Sequence, residues 1–294
     1  MQVAVFGKVV KEADLPCIQS LFDALHEENI NAFVFRAYLD QLKGKIVFRR
    51  DVGVFENHRD FIVRPLDYCI TLGGDGTILA AIQYTRDNKV PILGINLGRL
   101  GFLAGIEKRR ISQAIGLLKR GMYEVEHRSL LYLESNLPLF GDTPFALNDC
   151  TLLKRDTSSM ITIHAFINGA YLNSYWADGV IVATPTGSTG YSLSCGGPII
   201  FPNSNSFVIT PVSPHNLNVR PIVISDDSVI SFEVEGRAES FLCTLDSRSE
   251  SITSAHQLAI RKNDFDIQLI RIPGAGFLET MREKLNWGAD KRND

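Results

Sequence analysis

Two hydrophobic rhythms divide the chain, and the change falls near residue 128. Before it, short apolar runs alternate with stripes spaced by three and four residues, the mark of strands alternating with helices. Residues 3–6 form an apolar run that ends at Gly7. Ile18, Leu21, Phe22 and Leu25 then occupy i, i+3, i+4 and i+7, one face of a helix. Residues 32–35 predict the next strand. Residues 67–72 predict another, which runs into Gly73-Gly74-Asp75-Gly76-Thr77 with a helix from about 77 to 86 behind it. A buried strand over 90–95, opened by Pro91 and closed by Asn96, precedes a second helical stripe of Ile111, Ala114, Ile115 and Leu118, which Gly121 ends. Residues 43–66 carry neither rhythm and read as a variable connection.

Beyond residue 128 the helical period gives way to alternation. Ile161, Ile163, Ala165 and Ile167 share one face, and Asn168-Gly169 supplies the positive φ of a type I′ turn, so a hairpin continuing through Tyr171 is expected. Further strands are predicted over 180–183, 207–210, 229–234, 241–245 and 265–270. Phe277, Leu278, Met281 and Leu285 return to helical spacing. The expected organisation is an α/β domain over 1–127 carrying the GGDGT turn, a β-rich domain over 128–270, and a closing helix and tail over 271–294 that pack back on the first domain. The tail over 288–294 is polar and is expected to fray.

Composition narrows the class. Hydrophobic residues make up 45% of the 294, enough for a substantial core. The net charge of −3 lacks the basic excess of a nucleic-acid binder. No apolar run approaches the ~18 residues of a membrane span, and the opening MQVAVFGKVV reads as a first strand, not a signal peptide. Cys17, Cys69, Cys150, Cys195 and Cys243 are spread out, odd in number and free of any CxxC pair, as reduced thiols of a cytoplasmic protein are. The six histidines show no ligand spacing, so no protein-bound transition metal is expected.

Two segments carry candidate chemistry. At 72–79, LGGDGTIL ends a strand, turns on glycines and begins a helix. Glycines let backbone approach a ligand, and a helix start offers free N–H groups to an anion. Asp75 there can hold a phosphate-bound Mg²⁺, accept a proton from an attacking hydroxyl, or simply cap the helix of a plain βα turn. There is no GxxxxGK[ST] loop, and no GxGxxG follows the first strand. At 178–199, DGVIVATPTGSTGYSLSCGGPI runs a strand into hydroxyl-bearing residues and glycines, with Tyr191 able to stack on a base or sugar. The plain alternative is a surface loop rich in turn residues. Two shorter segments, NLGRLGFLAG at 96–105 and the Asn148-Asp149 pair, read alone as a βα connection and a turn.

Taken in order, these segments resemble the NAD kinase family, in GGDGT at 73–77, NLGRLGFL at 96–103, the Asn-acid pair at 148–149, the long motif at 178–199 and TPVSPHNLNVRPIV at 210–223. GGDGT alone is shared with lipid kinases and phosphofructokinases; the long motif is far more specific. The resemblance covers nearly the whole chain. It implies an α/β N-terminal domain with a β-rich C-terminal domain, homo-oligomers (dimers or tetramers), and transfer of a phosphoryl group from ATP, or in some relatives polyphosphate, to the 2′-hydroxyl of the adenosine ribose of NAD. A divalent cation such as Mg²⁺ would come bound to the donor phosphates. It further implies that Asp75 is the catalytic base and that Gly73, Gly74 and Gly76 bracket phosphates. Asn148 would read the adenine, and Asp149 would grip ribose hydroxyls. Phe102, Asp178, Thr186, Thr189, Gly190, Tyr191, Ser192, Leu193 and Ser194 would complete the nucleotide site.

Four segments depart from the family pattern. Asp149 replaces the usual Glu, Gly190 the usual Ala of TAY, Asp246-Ser247-Arg248 the usual Asp-Gly-Gln, and Trp176 a basic residue. Of other readings, a lipid or sugar kinase would need an apolar groove or sugar site that nothing marks. A non-catalytic NAD(P) sensor would have no need of Asp75.

Overall fold

Val3, Ala4, Val5 and Phe6 are buried on both faces of their strand, as a central strand of a parallel sheet requires. In the computed structural model, which describes residues 1–155, 160–274 and 276–287, that strand, Gln2–Gly7, lies inside an eight-stranded sheet. The sheet runs Gly53–Phe55, Asn31–Phe35, Gln2–Gly7, Tyr68–Gly73, Ile92–Asn96, Ile267–Arg271, Glu124–Arg128, with Ile106–Glu107 beside Ile92–Asn96. Pairing is parallel from Gly53–Phe55 through to Ile267–Arg271. Successive strands step away on one side of Gln2–Gly7 and then resume on the other at Tyr68–Gly73. That reversal opens a crevice at the strands' carboxyl ends, where ligands of open α/β sheets bind.

This sheet, with its helices, is one of two compact units, comprising Met1–His127 and the segment from Ile267 onward. Helices Leu15–Glu27 and Ile111–Lys119 pack together over it, burying Ile18, Leu21, Leu25, Ala114, Ile115 and Leu118. The connection read over 43–66 contains the strand Gly53–Phe55 and the short helix Arg59–Val63, and an unforeseen helix, Arg36–Leu42, follows the second strand directly. The closing helix is Phe277–Leu285, and its Phe277 ring lies 6.0 Å from Phe102. The tail read over 288–294 lies outside the described residues.

Arg128–Asp266 forms the other unit, built from two six-stranded sheets. One orders Ile222–Ser225, Ser206–Val212, Gly179–Ala183, Asp149–Lys154, Phe241–Leu245 and Arg248–Ile252. The second contains the expected hairpin of Ile161–Ile167 and Ala170–Ala177, turned by Asn168 (φ 50°) and Gly169 (φ 80°). Inward residues of both sheets, among them Leu152, Val180 and Phe207 of one and Ile163, Phe232 and Leu258 of the other, meet in a single apolar core. All five cysteines are free, and among the described residues no helix is long and apolar enough to cross a membrane.

Candidate active site

In the first unit the chain leaves its sheet at Gly73, passes Gly74 in extended conformation and enters the helix Asp75–Thr85, so Asp75 is the first helical residue. The N-cap residue, Gly74, offers no side-chain cap. The Asp75 carboxylate reaches across to the segment after Asn96. Oδ2 accepts the N–H of Phe102 at 2.8 Å, and Oδ1 accepts those of Leu103 at 3.0 Å and Ala104 at 2.9 Å. An ionised carboxylate has about four acceptor sites, so a place remains on Oδ2 for one more donor. The approach depends on Gly101, where a Cβ would stand 1.9 Å from Asp75 Oδ1. Behind the segment, buried Arg271 donates to the carbonyls of Phe102 (3.0 Å) and Leu103 (3.3 Å), and its Nε donates to Glu126 at 2.9 Å.

Beside Gly73 and Gly74 lies a hollow of about 300 Å³ at the carboxyl ends of the first, fourth and fifth strands of the chain. Lys8, Lys11 and Arg99 line it, with Asp14 the single carboxylate on its wall. Three cations beside the Gly73–Gly74 turn suit a polyanion. Lys8 and Lys11 carry no motif; what marks them is position, because they follow the strand beside the one that ends in Gly73. Asn96 shapes the adjoining turn by accepting the N–H of Gly98 at 2.7 Å. Phe102, half-buried, is covered by the last helix, with Lys284 Nζ 4.8 Å from its ring centre.

In the second unit, Asn148 and Asp149 sit where the strand Asp149–Lys154 begins, paired with Ala183 at the end of Gly179–Ala183. They are held from beneath by Asp246, a residue that no sequence pattern marks as part of the site. The Asp246 carboxylate accepts the N–H groups of Leu147 (3.0 Å), Asn148 (2.7 Å) and Asp149 (3.3 Å). Burial raises the Asp246 pKa against the pull of those amides. Asp149 is itself buried, and burial together with the Asp246 charge pushes its pKa up to about 7, while a hydrogen bond from Thr151 (3.2 Å) works the other way.

The long motif folds against this pair. Asn148 O accepts the Thr184 N–H at 2.9 Å, and a Cβ on Gly187 would stand 2.0 Å from the same oxygen. Several hydroxyls are spent on the loop itself: Thr184 donates to Leu147 O (2.6 Å), Ser188 to Pro185 O (2.7 Å), Thr189 to Thr186 O (3.2 Å), and Ser192 pairs with Thr210 (2.8 Å). Buried Arg128 reaches Thr186 at 3.4 Å. Tyr191 stays exposed on the helix Tyr191–Ser194, with the Asp178 and Asp149 charges adding to the burial that raises its pKa; Leu193 is half-buried and Ser194 exposed. Asp178 is ion-paired to Lys154 at 2.6 Å.

The remaining departures have structural occupations. Arg248 donates to Thr143 (Oγ1, 2.8 Å) and to the Phe145 carbonyl, and its guanidinium lies over the Phe140 and Phe145 rings at 5.6 and 5.9 Å. Trp176 is half exposed, its ring 4.4 Å from that of His215, whose N–H donates to the Trp176 carbonyl at 2.9 Å. Thus Gly73, Gly74, Asp75, Gly76 and Phe102 gather in the first unit, and Asn148, Asp149, Asp178 and residues 186–194 in the second.

Residues 31–123 match the ATP-NAD kinase N-terminal domain and residues 147–272 the ATP-NAD kinase C-terminal domain. Over the full length of both chains, the sequence is 45% identical to a protein of Cytophaga hutchinsonii named NAD kinase. The fold is similar to that of the yeast NADH kinase solved with NADH (TM-score 0.87, 22% identity, 100% of this chain and 89% of that one). It is also similar to that of an NAD kinase from Archaeoglobus fulgidus solved with ATP (TM-score 0.75, 23% identity, 97% and 98%). The order of motifs, the two-part fold and the full-length likeness agree: the chain belongs to the NAD kinase family.

Proposed function

We propose that this protein transfers the terminal phosphoryl group of ATP to the 2′-hydroxyl of the adenosine ribose of NAD, giving NADP. Family membership supports the reaction, and one observation carries the assignment of roles: the Asp75 carboxylate is gripped by three amides beside a basic hollow, with acceptor capacity left on Oδ2. A hydroxyl donating to that oxygen is oriented for attack, and its proton has a place to go as the bond to phosphorus forms. Lys8, Lys11, Arg99 and the Gly73–Gly74 backbone suit the donor phosphates, whose charge must be balanced for an in-line transfer. Gly76 leaves the turn open on its other side, with no atom within 4 Å of where a Cβ would sit.

In the second unit, Asn148 would pair with the adenine edge and Asp149 would accept ribose hydroxyls. Asp178, Thr186 and the run Thr189, Gly190, Tyr191, Ser192, Leu193, Ser194 would complete the nucleotide site, with Ser192 acting through the loop it ties to Thr210. Phe102 would present its ring to the nucleotide. A divalent cation, Mg²⁺ or another, fits as an ion carried on the donor phosphates: Asp14 is the single carboxylate lining the hollow, and Asp75 begins the helix that follows its Gly73–Gly74 wall. Among the described residues no cluster of three ligating side chains stands ready to hold one alone. When bound it supplies charge neutralisation. Homo-oligomeric assembly (dimer or tetramer) and a cytoplasmic location complete the proposal; five free cysteines support the latter.

The test is incubation of purified protein with NAD, ATP and Mg²⁺, read by a dehydrogenase that accepts only NADP. ATP-dependent signal is expected. Silence with both ATP and polyphosphate, in protein shown to be folded, would reject the reading.

A further inference from the structure

The Asp75 carboxylate and the Arg271 guanidinium do not touch, yet two peptide groups connect them. Leu103 donates its N–H to Asp75 Oδ1 at 3.0 Å, and the carbonyl of the same peptide group, that of Phe102, accepts from Arg271 Nη2 at 3.0 Å. The next peptide repeats the arrangement, with the Ala104 N–H on Asp75 Oδ1 at 2.9 Å and the Leu103 carbonyl on Arg271 Nη1 at 3.3 Å. In a trans peptide N–H and C=O point in opposite directions, so both planes lie between a cation and an anion with their dipoles aligned. Each hydrogen bond polarises the peptide for the other, and in a buried setting that strengthens both. Glu126 fixes the far end of Arg271 at 2.9 Å, and the guanidinium fork is the side chain that can address two neighbouring carbonyls at once.

We infer that Arg271 is a positioning residue for phosphoryl transfer: through the peptides 102–103 and 103–104 it sets the orientation of the Asp75 carboxylate, and Glu126 sets the orientation of Arg271. The inference rests on the proposed catalytic role of Asp75. It gives Arg271, which lies outside every motif in the sequence, a larger share in turnover than in nucleotide affinity. Methionine at 271 keeps most of the apolar stem and removes every donor. Lysine keeps the charge and can serve only one carbonyl well.

The experiment is a double-mutant cycle on the full chain, measuring kcat and the KM values for NAD and ATP. Arg271→Met is expected to lower kcat about tenfold or more, the scale of lost charge-assisted hydrogen bonds, with both KM values within about twofold of the parent. Arg271→Lys should fall between the two. In an Asp75→Asn background Arg271→Met should cost no further kcat, because the relay ends at the carboxylate. If Arg271→Met does not fold, Glu126→Gln and Arg271→Lys carry the same cycle. Equal losses in both backgrounds, or losses that appear in KM and track a lowered Tm, would overturn the inference while leaving Asp75 as base. Near-normal turnover by Asp75→Asn would remove the catalytic reading of Asp75 and the relay with it.

Discussion

At the residue scale two carboxylates are asked to do different work. Asp75 meets three amides and has room for a fourth donor, so replacing it by Asn keeps the shape and removes the carboxylate proposed to accept the proton. Asp75→Asn is expected to bind NAD with near-parental affinity, measured by calorimetry, and to lose about 100-fold or more in kcat, the scale of general-base help. Asp149 is a different case. Its ordinary pKa of 3.8 is pushed up to about 7 by burial and by Asp246. Between those values the folded chain holds a proton that the unfolded chain has released, so this group's contribution to stability declines as pH rises from about 4 to about 7 and is level above. Asp149→Asn should therefore gain in Tm relative to the parent across that window. If Asp149 accepts ribose hydroxyls as proposed, they call for the charged form, so the KM for NAD should fall in the parent as pH rises through about 7 and stay flat in Asp149→Asn. A parallel KM profile in the two proteins would show that another group titrates.

Elements set how tightly these side chains are held, and glycines mark where two of them close. A methyl on Gly101 would overlap the Asp75 carboxylate at 1.9 Å, whereas one on Gly190 would sit 3.2 Å from the Gly187 carbonyl, a contact relieved by a small shift. Gly101→Ala is expected to cost about 1–3 kcal/mol, read by denaturant unfolding, and to cut turnover with it. Gly190→Ala, which restores the residue usual in the family, should leave kcat within about twofold, as most unstrained substitutions do. The strand–turn–helix at 68–85 was legible because an apolar run meets GGDGT, and the hairpin at 161–177 because Asn168-Gly169 stands between two alternating runs. Arg36–Leu42 was not, since it follows Phe35 with no turn residue between, and Gly53–Phe55 is too short to show a period. The support of the site was least legible of all. Arg271 and Asp246 act on backbone groups about 170 and 100 residues away in the chain, and a side chain that binds peptide groups leaves no pattern in the residues it binds.

On the scale of the molecule, the first unit is made from two stretches of chain separated by the whole of the second. The strand Ile267–Arg271 lies between Ile92–Asn96 and Glu124–Arg128, so removing it takes an interior strand from the sheet. A fragment of residues 1–127 should unfold without cooperativity by circular dichroism, while 1–127 joined by a short linker to 267–294 should show a single transition, and 128–266 should fold alone. Cooperative melting of 1–127 alone would contradict this.

The late position of that strand matters during synthesis. The turn bearing Asp75 is made before the second unit, yet the neighbour that completes its sheet, and the arginine behind its carboxylate, are translated after the whole of it. Until then the strand Ile92–Asn96, paired with Ile106–Glu107 at its carboxyl end, lacks its neighbour at the Ile92 end, and an unpaired edge is the kind of surface on which chaperones act. A ribosome that stalls short of Ile267 releases a product carrying the GGDGT turn, the Asn-acid pair and the long loop, but lacking the piece that closes the first sheet. The first sheet is thus completed only after the second unit has been made, and chains that stop before Ile267 are left without it.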